Sequence, residues 1–367
     1  PLFFHGSSSE NILKFIVYLL LAVVREGAGT FRGIAQNGIR ATITPHPVDR
    51  TRLITIADFV SGALGEKLPE QIMTVMLDLI SRDKINISYE KMFVGMGLFT
   101  AIVAGAGALW FFLICKERVM QSVETPSVKA SIKSIINNKP ILLMTLSQIL
   151  GSFAVGGSKQ DYYIDVLNFA SLGLITGIPG AIINPFSYMA VPWFRRHFSS
   201  RFLYIIGNKI DGILLVPVFL VGCIGGKKHG LYKNIWVMGI AMMLWETIFM
   251  IFYGVRRIIP TEMYNEAMDY CEWKNGYRTE GMTSVAQGLA SKLANIFSRY
   301  ISNYIKQLIG YDLTRYVRGT AQTDETKFGL FAMFTIVPFL TGMVSIIPML
   351  FYDLSGKKKE KMYEELL

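Results

Sequence analysis

Residues 92–115 read MFVGMGLFTAIVAGAGALWFFLIC and contain no charged side chain. An α-helix needs ~20 predominantly apolar residues to cross the hydrocarbon core of a bilayer, and this run is long enough to do so. Similar runs occupy residues 202–225, 234–254 and 328–351. The chain is therefore predicted to cross a membrane several times.

The composition of the chain supports this interpretation. Of the 367 residues, 51% are hydrophobic and only 17% are charged, whereas globular domains carry about 25% charged residues. The formal net charge of +10 would suggest a nucleic-acid partner for a soluble protein. Here the basic residues fall mainly in short loops between apolar runs, as the positive-inside rule describes. We therefore expect membrane lipid, and no nucleic acid, as a partner.

The residues that usually carry catalysis or metal binding form no recognisable motif. Cys115, Cys223 and Cys271 lie far apart without a CxxC pair, and the four histidines show no HExxH spacing. No GxxxxGK[ST] phosphate-binding loop occurs. The sequence therefore predicts neither an enzyme nor a bound metal or cofactor.

The alternation of apolar runs and polar segments predicts an all-α membrane protein with about nine transmembrane helices. The predicted spans are residues 12–41, 53–80, 92–115, 140–157, 168–192, 202–225, 234–262, 282–309 and 328–352. A charged segment, residues 116–139, interrupts the pattern and is interpreted as a cytoplasmic linker. It would separate a three-helix region, residues 1–115, from a six-helix bundle with a tail, residues 140–367. The bias of basic residues in the loops places the C-terminus in the cytoplasm.

The predicted span 282–309 carries a polar face, and this face is the main candidate site. Its members recur at steps of three and four residues: Ser284, Gln287, Ser291, Asn295, Ser298 and Ser302. Lys292 and Arg299 flank the face. Ionisable residues are costly inside a bilayer and usually face a water-filled cavity or a partner of opposite charge. A solute-binding role for Lys292 is therefore expected, and a structural lysine paired with a neighbouring helix is the alternative.

The predicted span 12–41 has a basic face. Arg25, Arg32 and Arg40 share this face, and Asn37 lies beside it. Arg40 is close enough to the end of the span to reach the membrane interface. For Arg25 and Arg32, ligand binding and structural pairing are both open.

Four sequence segments together resemble a known family. Residues 269–281, DYCEWKNGYRTEG, match the pattern D-Y-x-E-x-K-T-G-x-R-x-E-G except at Asn275. Weaker matches are TPHPVDRTRL at 44–53, NKP at 138–140 and VPWFRR at 191–196. The chain resembles the glycoside-pentoside-hexuronide:cation symporter family, the melibiose permease group of the major facilitator superfamily.

The resemblance implies a fold and an activity. The fold is two pseudo-symmetric six-helix bundles, of which this chain would supply the family's helices four to twelve, as an N-terminally truncated member. The activity is symport of a sugar or glycoside with Na⁺ or H⁺ by alternating access. A multi-pass protein of the plasma (inner) membrane, acting as a monomer, is expected. Lys292 falls at a family position implicated in cation and sugar coupling, and Gln287 falls at a polar position near the sugar.

The sequence also departs from its relatives. The family's fourth helix has an aspartate where Gly33 aligns, and its fifth helix has an arginine where this chain has Asp58. An Arg32–Asp58 pair would keep the ion pair with reversed polarity. Arg257 adds a further cation at an aromatic, sugar-facing position of the family. Several cations favour an acidic solute such as a uronide; a neutral sugar, with the arginines paired internally, remains open.

A further group of charged residues is predicted at the cytoplasmic ends of helices, with residues 269–281 forming a loop. The group comprises Asp49, Arg50, Asp269, Glu272, Lys274, Arg278 and Glu280. These residues are interpreted as a latch between the bundles, and solvated loop charge is the alternative. For the whole chain, a lysolipid carrier of the same fold and an inactive truncated remnant are the alternative functions.

Overall fold

The computed structural model describes most of the chain as helices and turns. The described residues are 8–42, 53, 56–57, 60–61, 65, 68–115, 133, 136–276, 280–312, 321–354 and 356–366, and they contain no strand.

The described residues fall into two compact units, one before residue 116 and one from residue 133 onward. We call these the front unit and the rear unit. The predicted division into bundle, linker and bundle remains a prediction, because most of the linker lies outside the described residues.

Each predicted span contains helix in the part that the structure describes, and further short helices lie outside the spans. The front unit contains α1 (Ser8–Thr42), α2 (Leu68–Ser81) and α3 (Tyr89–Ile114). The first half of the rear unit contains α4 (Lys139–Ser152), α5 (Lys159–Asp165), α6 (Leu172–His197), α7 (Ser200–Gly222) and α8 (Gly226–His229). The second half contains α9 (Ile235–Ile251), α10 (Tyr253–Asn275), α11 (Glu280–Leu308), α12 (Asp324–Phe334), α13 (Ile336–Gly342), α14 (Ile346–Leu350) and α15 (Lys357–Leu366). Short 3₁₀ turns cover Leu231–Lys233 and Met343–Ser345.

Five helical segments in the described part of the chain are long and apolar enough to cross a membrane. They are Tyr89–Ile114, Leu172–His197, Ser200–Gly222, Ile235–Asn275 and Asp324–Leu350. The helical membrane architecture predicted from the sequence is thus confirmed.

Polar side chains cap helices of the rear unit at the positions where a polar segment gives way to an apolar run. Asn138 accepts a hydrogen bond from the Ile141 amide at the start of α4, and Ser199 accepts one from Phe202 at the start of α7. Each cap satisfies one of the amide groups that a helix leaves unpaired in its first turn. The boundaries of these helices therefore follow from local chemistry.

Predicted span 140–157 is not one continuous helix. α4 ends at Ser152 and α5 begins at Lys159, so the backbone between them is irregular. Irregular backbone at membrane depth is tolerated only where other groups satisfy its polar atoms. Ser298 donates to the Ala154 carbonyl at 2.6 Å, and the Gly156 amide donates to the Ser302 hydroxyl at 3.2 Å.

Residues 269–275 belong to a helix, which corrects the prediction of a loop over 269–281. α10 continues to Asn275, and Gly276 ends it with a φ of +74°, a conformation that glycine adopts readily. The prediction was wrong because a run of charged residues is typical of a loop but does not exclude a helix. A helix that leaves the membrane can continue with charged residues on all sides.

The helices of the rear unit pack closely at glycines. An added Cβ at Gly207 of α7 would lie 3.1 Å from the Arg256 Cα of α10. Small residues of this kind let two transmembrane backbones approach each other. As a result, a charged residue of α10 lies directly against the polar middle of α7.

Candidate functional site

The rear unit contains a polar pocket of about 360 Å³ between its helices. Its walls come from α4, α7, α10, α11 and the segment from Ser345 to Met349, and we call it the rear-unit pocket. The lining residues are Ser147, Gln148, Gly151, Ser152, Tyr204, Ile205, Asn208, Lys209, Arg256, Asn295, Ser345, Ile346 and Met349. The volume lies within the range of about 300–1,000 Å³ that small-molecule sites occupy.

Two cationic side chains line the rear-unit pocket, and only one of them has a carboxylate partner among the described residues. Arg256 makes an ion pair of 3.1 Å with Asp211, and its guanidinium carbon lies 5.4 Å from the centre of the Phe249 ring. Lys209 donates from Nζ to the Gly342 carbonyl oxygen at 2.6 Å. Among the described residues, no carboxylate lies within ion-pair distance of Lys209. Among the described residues at the pocket, two cationic side chains thus accompany one carboxylate, that of Asp211.

Neutral polar groups form much of the remaining wall. Asn208 donates to the Tyr204 carbonyl at 2.9 Å, and Ser147 donates to the Ser345 carbonyl at 2.8 Å. The side chains of Gln148 and Asn295 are exposed at the pocket. Amides can both donate and accept hydrogen bonds, so this wall suits a ligand with hydroxyl groups.

The residues of the predicted polar face of α11 have different surroundings in the structure. Gln287 donates to the Thr145 hydroxyl of α4 at 2.7 Å, and Asn295 lines the rear-unit pocket. The Ser291 hydroxyl is buried, and no described residue forms a hydrogen bond with it. Lys292 is an exposed residue of the same helix. The structure thus brings Asn295 to the pocket.

The remaining serines of this face have a different role. Ser298 and Ser302 bind the irregular backbone between α4 and α5. Their side chains are therefore engaged in holding the fold, which the periodicity alone does not distinguish from lining a cavity.

The other predicted ligand-binding residues lie away from the rear-unit pocket or outside the described part. Arg25 and Arg32 are exposed residues of α1 in the front unit. The side chain of Asn37 and the whole of Asp58 lie outside the described residues, so the Arg32–Asp58 pair stays a prediction. Arg257 is exposed, its guanidinium carbon lies 5.7 Å from the centre of the Tyr253 ring, and it is not among the lining residues of the pocket.

The predicted latch residues of α10 contact the tail of the chain. Asp269 accepts a hydrogen bond of 3.0 Å from the Tyr363 hydroxyl of α15. The Lys274 ammonium lies 5.4 Å from the centre of the Trp273 ring, and the Trp273 indole nitrogen donates to Glu365 at 2.6 Å.

The rest of the predicted latch is only partly described. Glu272 is half-buried in α10. Glu280 begins α11, but its side chain lies outside the described part, as do the residues Asp49, Arg50 and Arg278. A latch between the bundles stays a prediction.

Ion pairs join the tail to the helix ends of the rear unit. The Asp353 carboxylate pairs with Lys139 at 3.1 Å and with Lys358 at 3.0 Å. Burial raises the pKa of Asp353, but hydrogen bonds from Lys358 and Lys139 outweigh this effect and hold the pKa below its ordinary value. Glu266 of α10 pairs in the same way with Lys359. α15 is thus tied to the ends of α4 and α10.

The sequence analysis missed Lys209 and Asp211, although a signal was present. Both residues lie near the middle of the predicted span 202–225, where ionisable residues are rare and usually functional. Arg256, near the end of the predicted span 234–262, was not among the predicted ligand-binding residues. The structure instead places it beside Asp211, well inside the helical segment Ile235–Asn275.

Comparison with known proteins gives a consistent result. A family model described as "MFS/sugar transport protein" matches residues 1–356. The uncharacterized symporter YjmB of Bacillus subtilis (strain 168) is 26% identical over 96% of this chain and 72% of its own length. The glucuronide carrier protein homolog of Escherichia coli (strain K12) is 23% identical over 99% of this chain and 74% of its own length. The isoprimeverose transporter of Lactiplantibacillus pentosus is 25% identical over 91% of this chain and 66% of its own length.

Proposed function

The chain belongs to the MFS/sugar transport protein family, and from this premise we propose that it carries a sugar or glycoside across the membrane together with Na⁺ or H⁺. The family and the similar proteins are transporters, so the prediction that the chain is not an enzyme is confirmed. It is a multi-pass membrane protein of a sugar transport family. The plasma membrane, a cytoplasmic C-terminus and a monomeric state remain part of the proposal.

The rear-unit pocket is the observation that carries this proposal. Two of its walls, α7 and α10, belong to segments long and apolar enough to cross a membrane, and the amide groups of Gln148, Asn208 and Asn295 contribute to its lining. In a bilayer such groups are costly to expose, so they usually meet a partner inside the protein or water in a cavity. A sugar ring offers several hydroxyl groups that both donate and accept hydrogen bonds. The pocket is thus suited to a sugar.

Coupling to a cation is supported by the names of relatives rather than by a described ion site. The Bacillus subtilis relative is named a symporter. In the rear unit, Asp211 pairs with Arg256 and Glu246 pairs with Lys159, so each of these intramembrane carboxylates already has a cationic partner. We therefore assign no residue of the rear unit to the coupling ion.

The mechanism follows from the architecture of transporters made of two helical bundles. Such bundles rock about a central site, which opens alternately to the two sides of the membrane. A cation that is bound together with the solute supplies its gradient for uphill movement. The two cations of the pocket suit an acidic solute such as a uronide. One relative is named a glucuronide carrier homolog, which supports the same class of solute.

Uptake of a panel of labelled solutes tests the proposal. The panel contains neutral glycosides, acidic glycosides and a lysophospholipid, offered to a bacterial host that lacks its own sugar carriers. We expect uptake of at least one glycoside that depends on the expressed chain and on either Na⁺ or H⁺. Uptake of the lysophospholipid alone would contradict the proposal, and so would no uptake of any solute by a chain present in the membrane.

A further inference from the structure

The positive charge of Lys209 lacks a carboxylate partner in the described part of the rear unit. Its Nζ donates to the carbonyl oxygen of Gly342, which is a neutral acceptor. The nearby carboxylate of Asp211 is already paired with Arg256 at 3.1 Å. An unbalanced cation inside a bilayer costs free energy, and functional sites are where proteins tolerate this cost.

We propose that Lys209, assisted by Arg256, binds the acid group of a sugar acid and makes the chain selective for acidic over neutral glycosides. This proposal rests on the proposed sugar transport and names the substrate class of the same pocket. It assigns to Lys209 the role of a specificity-determining residue.

The composition of the rear-unit pocket favours a sugar acid over a fatty ligand. Lys209 and Arg256 line the same pocket as Gln148, Asn208 and Asn295. The cations would hold the acid group while the amides bind ring hydroxyls. An acyl chain would instead require a continuous apolar wall, whereas only Ile205, Ile346 and Met349 contribute aliphatic or thioether side chains to this lining.

Arg256 and Lys209 differ in the number of hydrogen-bond donors that their bonds within the protein leave for a ligand. A guanidinium group has five N–H donors, so Arg256 keeps donors beyond its bond to Asp211. Lys209 has three donors, of which the bond to Gly342 uses one. An ammonium group acts as a point charge without the fixed fork geometry of arginine. The site therefore accepts either a carboxylate or a sulfonate.

Equilibrium binding to the purified protein tests this assignment without a need for transport. Methyl β-D-glucuronide and methyl β-D-glucoside differ only in a carboxylate or a hydroxymethyl group at C5. We expect the wild-type protein to bind the glucuronide more tightly. Lys209→Met should weaken glucuronide binding about 10-fold or more, because hydrogen bonds to a charged group are strong, and should leave glucoside binding unchanged.

Two further variants separate binding from folding. Lys209→Arg keeps the charge and should restore most of the preference for the glucuronide. Lys228→Met removes a lysine from an exposed position of the short helix α8 and should leave both affinities unchanged. If Lys209→Met is too unstable to purify, Arg256→Gln, which should reduce the same preference, takes its place.

The outcomes distinguish this proposal from the proposed function. Lys209-dependent glucuronide binding without any uptake would contradict transport and leave the acid site standing. Equal binding of both glycosides by the wild type, an unchanged preference in Lys209→Met, or no binding of either would overturn the acid site. A lipid arm uses nanodiscs that contain phosphatidylglycerol. If this lipid displaces the glucuronide from the wild-type protein but not from Lys209→Met, the site binds lipid phosphate, and the proposed acid site is overturned.

Discussion

Gln287 of α11 donates a hydrogen bond of 2.7 Å to the hydroxyl group of Thr145 of α4. The side-chain nitrogen of a predicted sugar-binding residue is thus engaged with a neighbouring helix, while its carbonyl oxygen remains a potential acceptor. The bond fixes the orientation of the amide, so Thr145 would position Gln287 for the solute-binding role that the resemblance implies. This relationship gives a testable expectation for a residue that the sequence analysis did not single out.

Thr145→Val removes the acceptor for Gln287 and keeps the volume of the side chain similar. We expect the affinity for the transported glycoside to fall about 3- to 10-fold, because the loss corresponds to about one neutral hydrogen bond, while the maximal rate changes less. Thr145→Ser retains the hydroxyl group and should retain the affinity. Kinetics of uptake at varied solute concentration measure both quantities. Equal losses in Thr145→Val and Thr145→Ser would show that packing, and not the hydrogen bond, is what matters.

The Ser291 hydroxyl is buried and has no hydrogen-bond partner in the part of the chain that the structure describes. If a solute hydroxyl is its partner, Ser291→Ala should weaken solute binding and leave the melting temperature unchanged or slightly higher, because an unsatisfied buried group is removed. Ser298→Ala is the matched control on the same helix. It breaks the bond to the Ala154 carbonyl, and should cost about 1 kcal/mol of stability. A melting temperature lowered as much by Ser291→Ala as by Ser298→Ala would argue against a ligand role for Ser291.

Gly254 lies against the backbone of α6. A Cβ at this position would stand 2.6 Å from the Ser187 carbonyl oxygen, and a backbone atom cannot move away as a flexible side chain can. Gly254→Ala should therefore destabilise the protein by roughly 1–3 kcal/mol. Gly239→Ala in α9 meets only an ordinary contact of 3.7 Å with Leu172 and should be tolerated. Thermal unfolding in detergent compares the two, and similar melting temperatures would contradict the close packing of α6 and α10.

The ion pairs of Asp353 predict a dependence of stability on pH. The pKa of Asp353 is lowered in the folded protein, so its ionised form stabilises the fold above the unfolded-state pKa. This contribution is lost as the pH falls below the ordinary value of 3.8 and through the lowered pKa. Asp353→Asn should therefore lower Tm at pH 7, and the difference from wild type should shrink towards pH 3. A difference that stays constant over this range would exclude the charge of Asp353 as its cause.

The helical architecture could be predicted because membrane spans are a local property of the sequence. Residues 92–115 are apolar throughout, and the structure has α3 at Tyr89–Ile114. The break between α4 and α5 was missed because its polar backbone is satisfied by Ser298 and Ser302, which lie more than a hundred residues away. A periodicity argument has no access to such distant partners.

The candidate site was predicted only in part for the same reason. Asn295 was identified from its position on a polar helical face, and the structure places it in the rear-unit pocket. Lys209 and Arg256 come from two other helices, and their shared location depends on the close contact of Gly207 with α10. Helical periodicity identifies which residues share a face of one helix, but it does not show which faces meet.

Concentrative uptake is the most direct test of the central claim that this chain is a cation-coupled sugar transporter. The purified chain is reconstituted into liposomes, and the internal concentration of a labelled glycoside is followed under a Na⁺ gradient or a pH gradient, each applied separately. The account predicts that one of the gradients drives the internal concentration above the external one, and that an ionophore abolishes this accumulation. A glycoside that only equilibrates, or that does not enter under either gradient, would contradict it.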